Sequence, residues 1–255
     1  MLWSVVFHQS PAWLPLAIIL CAFGTVLDAY DLSQRRQPQG PLGVALDYSL
    51  ATTFPVGLDA NPQPRRNWMF SSHLKFNQHV STISDSQLWR IAFDAFAEVL
   101  PEMRQYGINP NHNQPGAMTV LAFGNELILA SSQKGPVSFS YTFRDSPVLE
   151  TLRLCQAIYR ESSVTGSDKE HRTAGRCGEI MAAHLYYVQH PDTRLSDTQA
   201  RIATVTIRNR QEAPAATDPC GDAQHASTHR LHLKSEGVML TILIGQLGLP
   251  AICDT

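Results

Sequence analysis

The sequence predicts an α/β fold: a three-layer α/β/α domain with a central mixed sheet, preceded by an irregular N-terminal extension. Three observations predict it: apolar residues at helical spacing after Ser84, apolar runs of strand length in mid-chain, and strands that alternate with helices towards the end. The 255 residues, 44% of them apolar, are enough for one sizeable core. We expect the domain to span residues 84–255 and the extension to span 30–83.

The first 29 residues predict a cleaved secretory signal peptide. Their uncharged apolar run at 14–27 ends at Asp28-Ala29, as a signal does, and is shorter than the about 20 residues that a membrane-spanning helix needs. Because no positively charged segment precedes the run, a buried N-terminal helix is the alternative. We expect a secreted chain that starts near Tyr30 after cleavage and has no stable membrane insertion.

The extension shows little regular pattern. Residues 31–72 hold five prolines and two arginine pairs, and no periodicity is sustained. We expect an irregular segment with, at most, short strands that pack on the main domain.

The domain itself begins with a helix at 85–105. Ser84 and Gln87 form a capping-box pattern, and apolar residues follow at helical spacing. Pro101 is expected to kink or shorten this helix, because proline lacks the backbone N–H of a helix interior.

Strand patterns follow the first helix. Residues 117–131 form two apolar runs that meet at Gly124-Asn125, which predicts either one long bent strand or a hairpin, because Gly-Asn is turn chemistry. Residues 137–143 alternate apolar and polar side chains, which predicts a strand with one buried face.

The second half of the chain alternates helices with strands. Helical patterns cover 149–160 and 175–189, and a strand follows at 201–208. A shorter helix at 220–233 then precedes a fully buried strand at 238–244. This order predicts a sheet with helices on its faces.

The overall charge does not indicate a nucleic-acid-binding protein, and the cysteine content does not indicate a disulfide-stabilised one. The net charge of −2 gives no overall signature of a nucleic-acid-binding protein, although a local basic groove remains compatible with it. Five scattered cysteines are too few for a disulfide framework. We expect Cys155 and Cys253 to be core thiols or, in a secreted chain, to form a disulfide.

Two short segments contain residues suited to metal binding and proton transfer. Cys177-Gly178-Glu179 opens one predicted helix, and Pro219-Cys220 opens the next. Thiolates bind zinc, and a helix N-terminus favours the thiolate form. If the two helix ends meet, Cys177 and Cys220 can bind one metal ion. Glu179 can then reach a water molecule at its open position and transfer protons.

These segments resemble the cytidine deaminase superfamily, whose pattern is His or Cys, one residue, Glu, and later Pro-Cys-x-x-Cys. Cys177-Gly178-Glu179 matches the first half in its cysteine form, and the matched order of elements covers about two thirds of the chain. The cysteine form is similar to that of nucleoside cytidine deaminases and of secreted toxin-like deaminases, and the predicted signal peptide favours the secreted toxin-like branch. The resemblance implies the three-layer deaminase fold, Zn²⁺ on Cys177 and Cys220, and Glu179 as the catalytic residue. The implied substrate is a pyrimidine base, a nucleoside or single-stranded nucleic acid.

The second half of the motif departs from the family pattern. Ala223 stands where the second cysteine of Pro-Cys-x-x-Cys is expected, and Asp222 and His225 are the nearest alternative zinc ligands. The chain is then either a deaminase with an unusual zinc site or a catalytically inactive deaminase fold that serves as a secreted binding or effector module. A third reading is an unrelated α/β protein in which Cys177 and Cys220 are core residues.

Overall fold

The computed structural model describes residues 30–53, 65–150, 152, 175–207 and 213–217. The predicted signal peptide, the helix at 220–233 and the strand at 238–244 lie outside the described residues, as do Cys155 and Cys253. None of the helices in these described ranges combines the length and the apolar composition that crossing a membrane requires.

Six strands form one sheet in the order β1-β2-β4-β3-β5-β6. The strands are β1 (Ala45–Leu46), β2 (Phe70–Lys75), β3 (Ala117–Phe123), β4 (Glu126–Ser131), β5 (Arg201–Thr206) and β6 (Ala215–Thr217). The helices are α1 (Tyr48–Thr53), α2 (Asp85–Gln105), α3 (Pro110–Asn113), α4 (Phe139–Thr142) and α5 (Gly178–Gln189), with 3₁₀ turns at Val80–Thr82 and Leu195–Thr198.

Helices α2 and α5 pack on opposite faces of this sheet. Side chains of β3 alternate between the two faces, as a strand requires. Met118, Val120 and Ala122 pack in the core with α2, whereas Leu121 and Phe123 pack with α5. The prediction of a domain with helices on a sheet is therefore confirmed for the described part of the chain.

The sheet differs from the predicted mixed one. All five strand pairings in the described residues are antiparallel. A parallel pair would need a further strand, and the strand predicted at 238–244 lies outside the described residues.

Three predicted elements are confirmed, two of them with small shifts of their ends. Helix α2 has the predicted bounds and a complete capping box between Ser84 and Gln87, and it continues through Pro101 to Gln105. The predicted helix at 175–189 is α5, and the predicted strand at 201–208 is β5. Of the two alternatives for 117–131 the hairpin is correct, because Gly124 adopts φ +50° and reverses the chain between β3 and β4.

The N-terminal extension is more regular than predicted. It supplies β1, α1 and β2, and β2 pairs with β4 along its length from Ser71 to Lys75. Trp68, Met69 and Phe70 are at most 2% exposed, so this segment belongs to the core. The prolines that suggested irregular structure lie outside these strands.

The strand predicted at 137–143 is wrong, because residues 139–142 form the short helix α4. Ser138 caps this helix by accepting a hydrogen bond from the N–H of Tyr141 at 3.4 Å. Strands β2 and β3 already pair with both edges of β4, so the segment after β4 has no edge there to join. Residues 147–150 are helical, near the helix predicted at 149–160, most of which lies outside the described residues.

Two glutamates on α2 bind the backbone of the segment that leads into β1. Glu98 accepts hydrogen bonds from the N–H groups of Leu42 at 2.8 Å and Val44 at 3.1 Å. Glu102 accepts one from the N–H group of Leu46 at 3.0 Å. These N–H groups belong to alternate residues and therefore point to the side of the segment away from β2.

Candidate functional site

The N-terminus of α5 carries the first half of the predicted motif. Cys177 is the N-cap residue of α5, Gly178 is its first residue, and Glu179 lies in its first turn. Cys177 is half-buried. A thiol and a carboxylate thus share one helix end, where the amide groups and the helix dipole favour negative charge. Cys220, Asp222 and His225 lie outside the described residues.

Two contacts fix the chain just before this helix. The carbonyl oxygen of Arg176 accepts a hydrogen bond from the N–H of Gln133 at 2.9 Å, and its guanidinium donates to the carbonyl oxygen of Gly135 at 2.5 Å. Gly175 has φ +71°, a conformation that favours glycine. The segment that enters α5 is therefore held against the chain that leaves β4.

Gly178 brings the first turn of α5 directly onto the sheet. A Cβ atom at this position would overlap Oγ1 of Thr119 and would lie 3.2 Å from the carbonyl oxygen of Ala130. Thr119 and Ala130 are paired residues of β3 and β4. The glycine between Cys177 and Glu179 thus provides the space that the close contact needs.

Glu179 points into a small polar network at this contact. Its side chain belongs to a residue only 5% exposed, and its Oε1 accepts a hydrogen bond from Oγ1 of Thr204 at 2.7 Å. Oγ1 of Thr204 also lies 2.9 Å from Oγ1 of Thr119 on the neighbouring strand. A buried carboxylate with such partners is held in a defined orientation, which proton transfer requires.

Gln133 adds a second buried polar side chain beside this helix end. Its Nε2 donates to the carbonyl oxygen of Val137 at 3.1 Å and to Oγ1 of Thr142 at 3.3 Å. Its Oε1 is buried and has no hydrogen-bond partner among the described residues. A buried acceptor of this kind favours a donor group as partner.

A separate cluster of possible metal ligands lies at the other end of α5. His73 of β2, Glu126 of β4 and His190, which caps the C-terminus of α5, each offer one ligand atom, and these atoms lie within 4.8 Å of one another. Nε2 of His73 contacts Oε2 of Glu126, and Nε2 of His190 lies 3.2 Å from the same oxygen. This cluster, the His73–Glu126–His190 triad, could hold a metal ion.

Strand register and helix packing bring the triad together. Lys75 is paired with Glu126, so His73, two residues earlier, is the diagonal neighbour of Glu126 on the same face of the sheet. His190 stacks on Tyr186 with ring centroids 5.0 Å apart and lies edge-on to Phe123 at 5.4 Å. Because His190 follows Cys177 by 13 residues, it lies about 20 Å from Cys177 along the helix.

The electrostatic environment of Glu126 keeps it ionised. Burial raises the pKa of its carboxyl group, but the hydrogen bonds and positive charges of His73 and His190 together lower that pKa below its usual value. The ammonium group of Lys75 lies 3.7 Å from Oε1. The triad therefore presents an anionic oxygen between two imidazole rings.

A further histidine of α5, His184, packs against neighbouring side chains and is not part of the triad. Nδ1 of His184 lies 3.0 Å from Oγ of Ser146, and its ring centroid lies 4.0 Å from that of Phe143. Burial lowers the pKa of His184 to about 4. The ring is therefore neutral at physiological pH and fills the core between α5 and the segment after α4.

No spacing pattern in the sequence indicates the triad, because its members are 53 and 64 residues apart and belong to three elements. Recognising β2 as a strand would have placed His73 and Lys75 on one face, but the pairing with β4 is a property of the fold. Comparisons of the chain with protein families, with curated proteins and with solved structures find no match.

Proposed function

We propose that this protein is a zinc-dependent hydrolytic deaminase that acts on cytosine or a related base, as a nucleoside or within single-stranded nucleic acid. One observation carries the proposal: Cys177 and Glu179 share the N-terminus of α5 where that helix lies on β3 and β4. The elements α2, β3, β4, α5 and β5 follow one another in the order that the deaminase resemblance implies, and the short helix α4 and the short strand β6 are additional to that order.

The donor set suits zinc. Cys177 is half-buried at a helix N-terminus, a position that stabilises a thiolate ligand. Cys220 would be the second ligand, and His225 or Asp222 the third. When bound, zinc supplies a Lewis acid that lowers the pKa of water and polarises the reacting carbon.

Glu179 would carry the protons of the reaction. Water adds to C4 of the cytosine ring and ammonia leaves, so a carbonyl oxygen replaces the exocyclic amine. Glu179 would take a proton from the attacking water and deliver protons to the ring nitrogen and to the departing amine. The hydrogen bond from Thr204 would hold the carboxylate in position during both transfers.

The first test combines zinc content with ammonia release from cytidine, single-stranded DNA and single-stranded RNA. Glu179→Gln should keep zinc and fold and lose about 10²–10⁴-fold in rate, because the proton carrier is gone. Cys177→Ala should lose activity and the zinc ion bound at this site. Glu150→Gln, which changes an exposed carboxylate, should behave like the wild type.

Ala223 favours a second candidate, an inactive deaminase fold used as a secreted binding or effector module. Ala223→Cys separates the two. If Asp222 or His225 already completes the site, the substitution should change little. If the site lacks its third ligand, the substitution should raise zinc affinity and create activity. A wild type that releases no ammonia from any of the three substrates would reject the deaminase and leave the binding module.

A further inference from the structure

We propose that the His73–Glu126–His190 triad is a second metal site, which binds one Zn²⁺ ion through two imidazole nitrogens and one carboxylate oxygen and leaves a fourth position open to water. The site uses none of the residues of the proposed deaminase centre, and it lies at the opposite end of α5.

The ligand chemistry favours zinc over calcium and magnesium. Imidazole nitrogen and carboxylate oxygen are both common zinc ligands, and two histidines with one glutamate form an established three-ligand zinc set. Calcium and magnesium prefer sites made wholly of oxygen ligands. Two imidazole rings that face one carboxylate oxygen therefore favour zinc over these ions.

The distances also fit. Zinc bonds of about 2.0–2.2 Å to nitrogen and oxygen place tetrahedral ligand atoms roughly 3.3 Å apart. Nε2 of His190 lies 3.2 Å from Oε2 of Glu126, and all three ligand atoms lie within 4.8 Å of one another. Nε2 of His73 already contacts the same oxygen, so this ring must rotate away from Glu126 when an ion binds between them.

The packing holds the ligands in place before metal binds. Tyr186 and Phe123 fix the ring of His190, while the pairing of β2 with β4 fixes His73 beside Glu126. Little conformational freedom is then lost on binding, which favours affinity. The side chains of His73, Glu126 and His190 are 22%, 11% and 27% exposed, so an ion can reach the site from solvent.

Binding would connect three parts of the fold. The ligands come from β2, from the first residue of β4 and from the residue after α5. An ion that binds only the folded chain stabilises it, because the unfolded chain does not bring these ligands together. We therefore expect Zn²⁺ to raise the thermal unfolding temperature through this site.

The experiment uses Zn²⁺ alone as the probe, on the full chain carrying Cys177→Ala, so that the proposed deaminase centre is disabled. Equilibrium dialysis should find one bound Zn²⁺ per chain. Adding His73→Ala, Glu126→Gln or His190→Ala should weaken binding at least as much as the about 10–100-fold loss that follows removal of an outer-shell partner. The same variants should abolish the Zn²⁺-induced rise in unfolding temperature. His112→Ala, which removes an exposed histidine outside the triad, should change neither.

Lys75→Ala provides a test in which the expected result, tighter Zn²⁺ binding, cannot arise from loss of folding. It removes a positive charge 3.7 Å from Glu126 and keeps all three ligands, so Zn²⁺ should bind more tightly. Absence of Zn²⁺ binding in the Cys177→Ala chain would overturn the proposal, as would equal binding in the triad variants and in His112→Ala. Failure of the deaminase proposal appears separately, as absence of ammonia release.

Discussion

His184 shows how the surroundings of one residue make stability depend on pH. In the unfolded chain its pKa is about 6.5, as in model peptides, whereas burial lowers the pKa to about 4 in the folded chain. Between these two values the unfolded state binds more protons, so the free energy of unfolding rises with pH in this window. At pH above 6.5 the ring is neutral in both states and contributes no further pH dependence.

We predict that acid destabilises the protein through His184 by up to about 3 kcal/mol between pH 6.5 and pH 4. His184→Gln should reduce the loss of stability in this window, because the residue no longer takes up a proton on unfolding. Urea denaturation of both proteins at pH 7 and pH 5 measures the effect. His112→Gln, at an exposed position, is the control, and an equal pH dependence in His184→Gln and the wild type would contradict the prediction.

The sequence predicts that the candidate residues at the N-terminus of α5 lie close together, but it does not predict this for the triad at the other end of the helix. Cys177 and Glu179 are close in sequence and open a helix, so local pattern places them together. His73, Glu126 and His190 come together only through strand pairing and helix packing, which act over many residues. Local periodicity carries no information about such pairings.

At the scale of elements, the strength of local signals decided which predictions were correct. Helix α2 has a capping box and a long apolar stripe, and both of its ends were predicted. Residues 137–143 alternate apolar and polar side chains, which favours a strand, but Ser138 is also a suitable helix N-cap residue. The segment forms the helix that this cap favours. Strand β2 was missed because prolines and arginines around it suggested an irregular segment.

The contact between α5 and the sheet gives a prediction for Gly178. Alanine normally stabilises a helix by about 1 kcal/mol relative to glycine. At Gly178 the added Cβ would overlap Thr119, so we expect Gly178→Ala to destabilise the protein by about 1–3 kcal/mol and to displace the first turn of α5. Urea denaturation measures the change in the free energy of unfolding.

Gly116→Ala is the matched control for this substitution. A Cβ at Gly116 meets no atom of the described residues within 4 Å. We expect its effect to stay within about 0.5 kcal/mol. If Gly178→Ala were as stable as Gly116→Ala or more stable than the wild type, the close helix contact would be disproved.

At the scale of the whole molecule, the described residues of the N-terminal extension, 30–53 and 65–83, belong to the same folded unit as the rest of the described chain. Strand β2 covers one edge of β4, and Trp68 and Phe70 are buried in the core with α2. The boundary at Ser84 that the helix signal suggested therefore cuts through a sheet. The start of the strongest helix pattern marks the start of an element and not the start of a domain.

We predict that a chain beginning at Ser84 does not fold, whereas a chain beginning at Tyr30 does. The shorter chain loses the partner strand of β4 and exposes the apolar side chains that β2 and its neighbours cover. Size-exclusion chromatography and thermal unfolding of the two proteins test this. Cooperative unfolding of the shorter chain at the same temperature as the longer one would show that residues 30–83 are dispensable.

The hydrogen bonds from Leu42, Val44 and Leu46 to Glu98 and Glu102 have a consequence for self-association. An outer strand with unpaired N–H groups is a template on which another chain can add a strand and begin to aggregate. Here the carboxyl groups of Glu98 and Glu102 already occupy the three N–H donors on the outer side of the β1 segment. A second molecule approaching this side finds these three donors already bonded, so the β1 edge of the described sheet is a poor template for another strand.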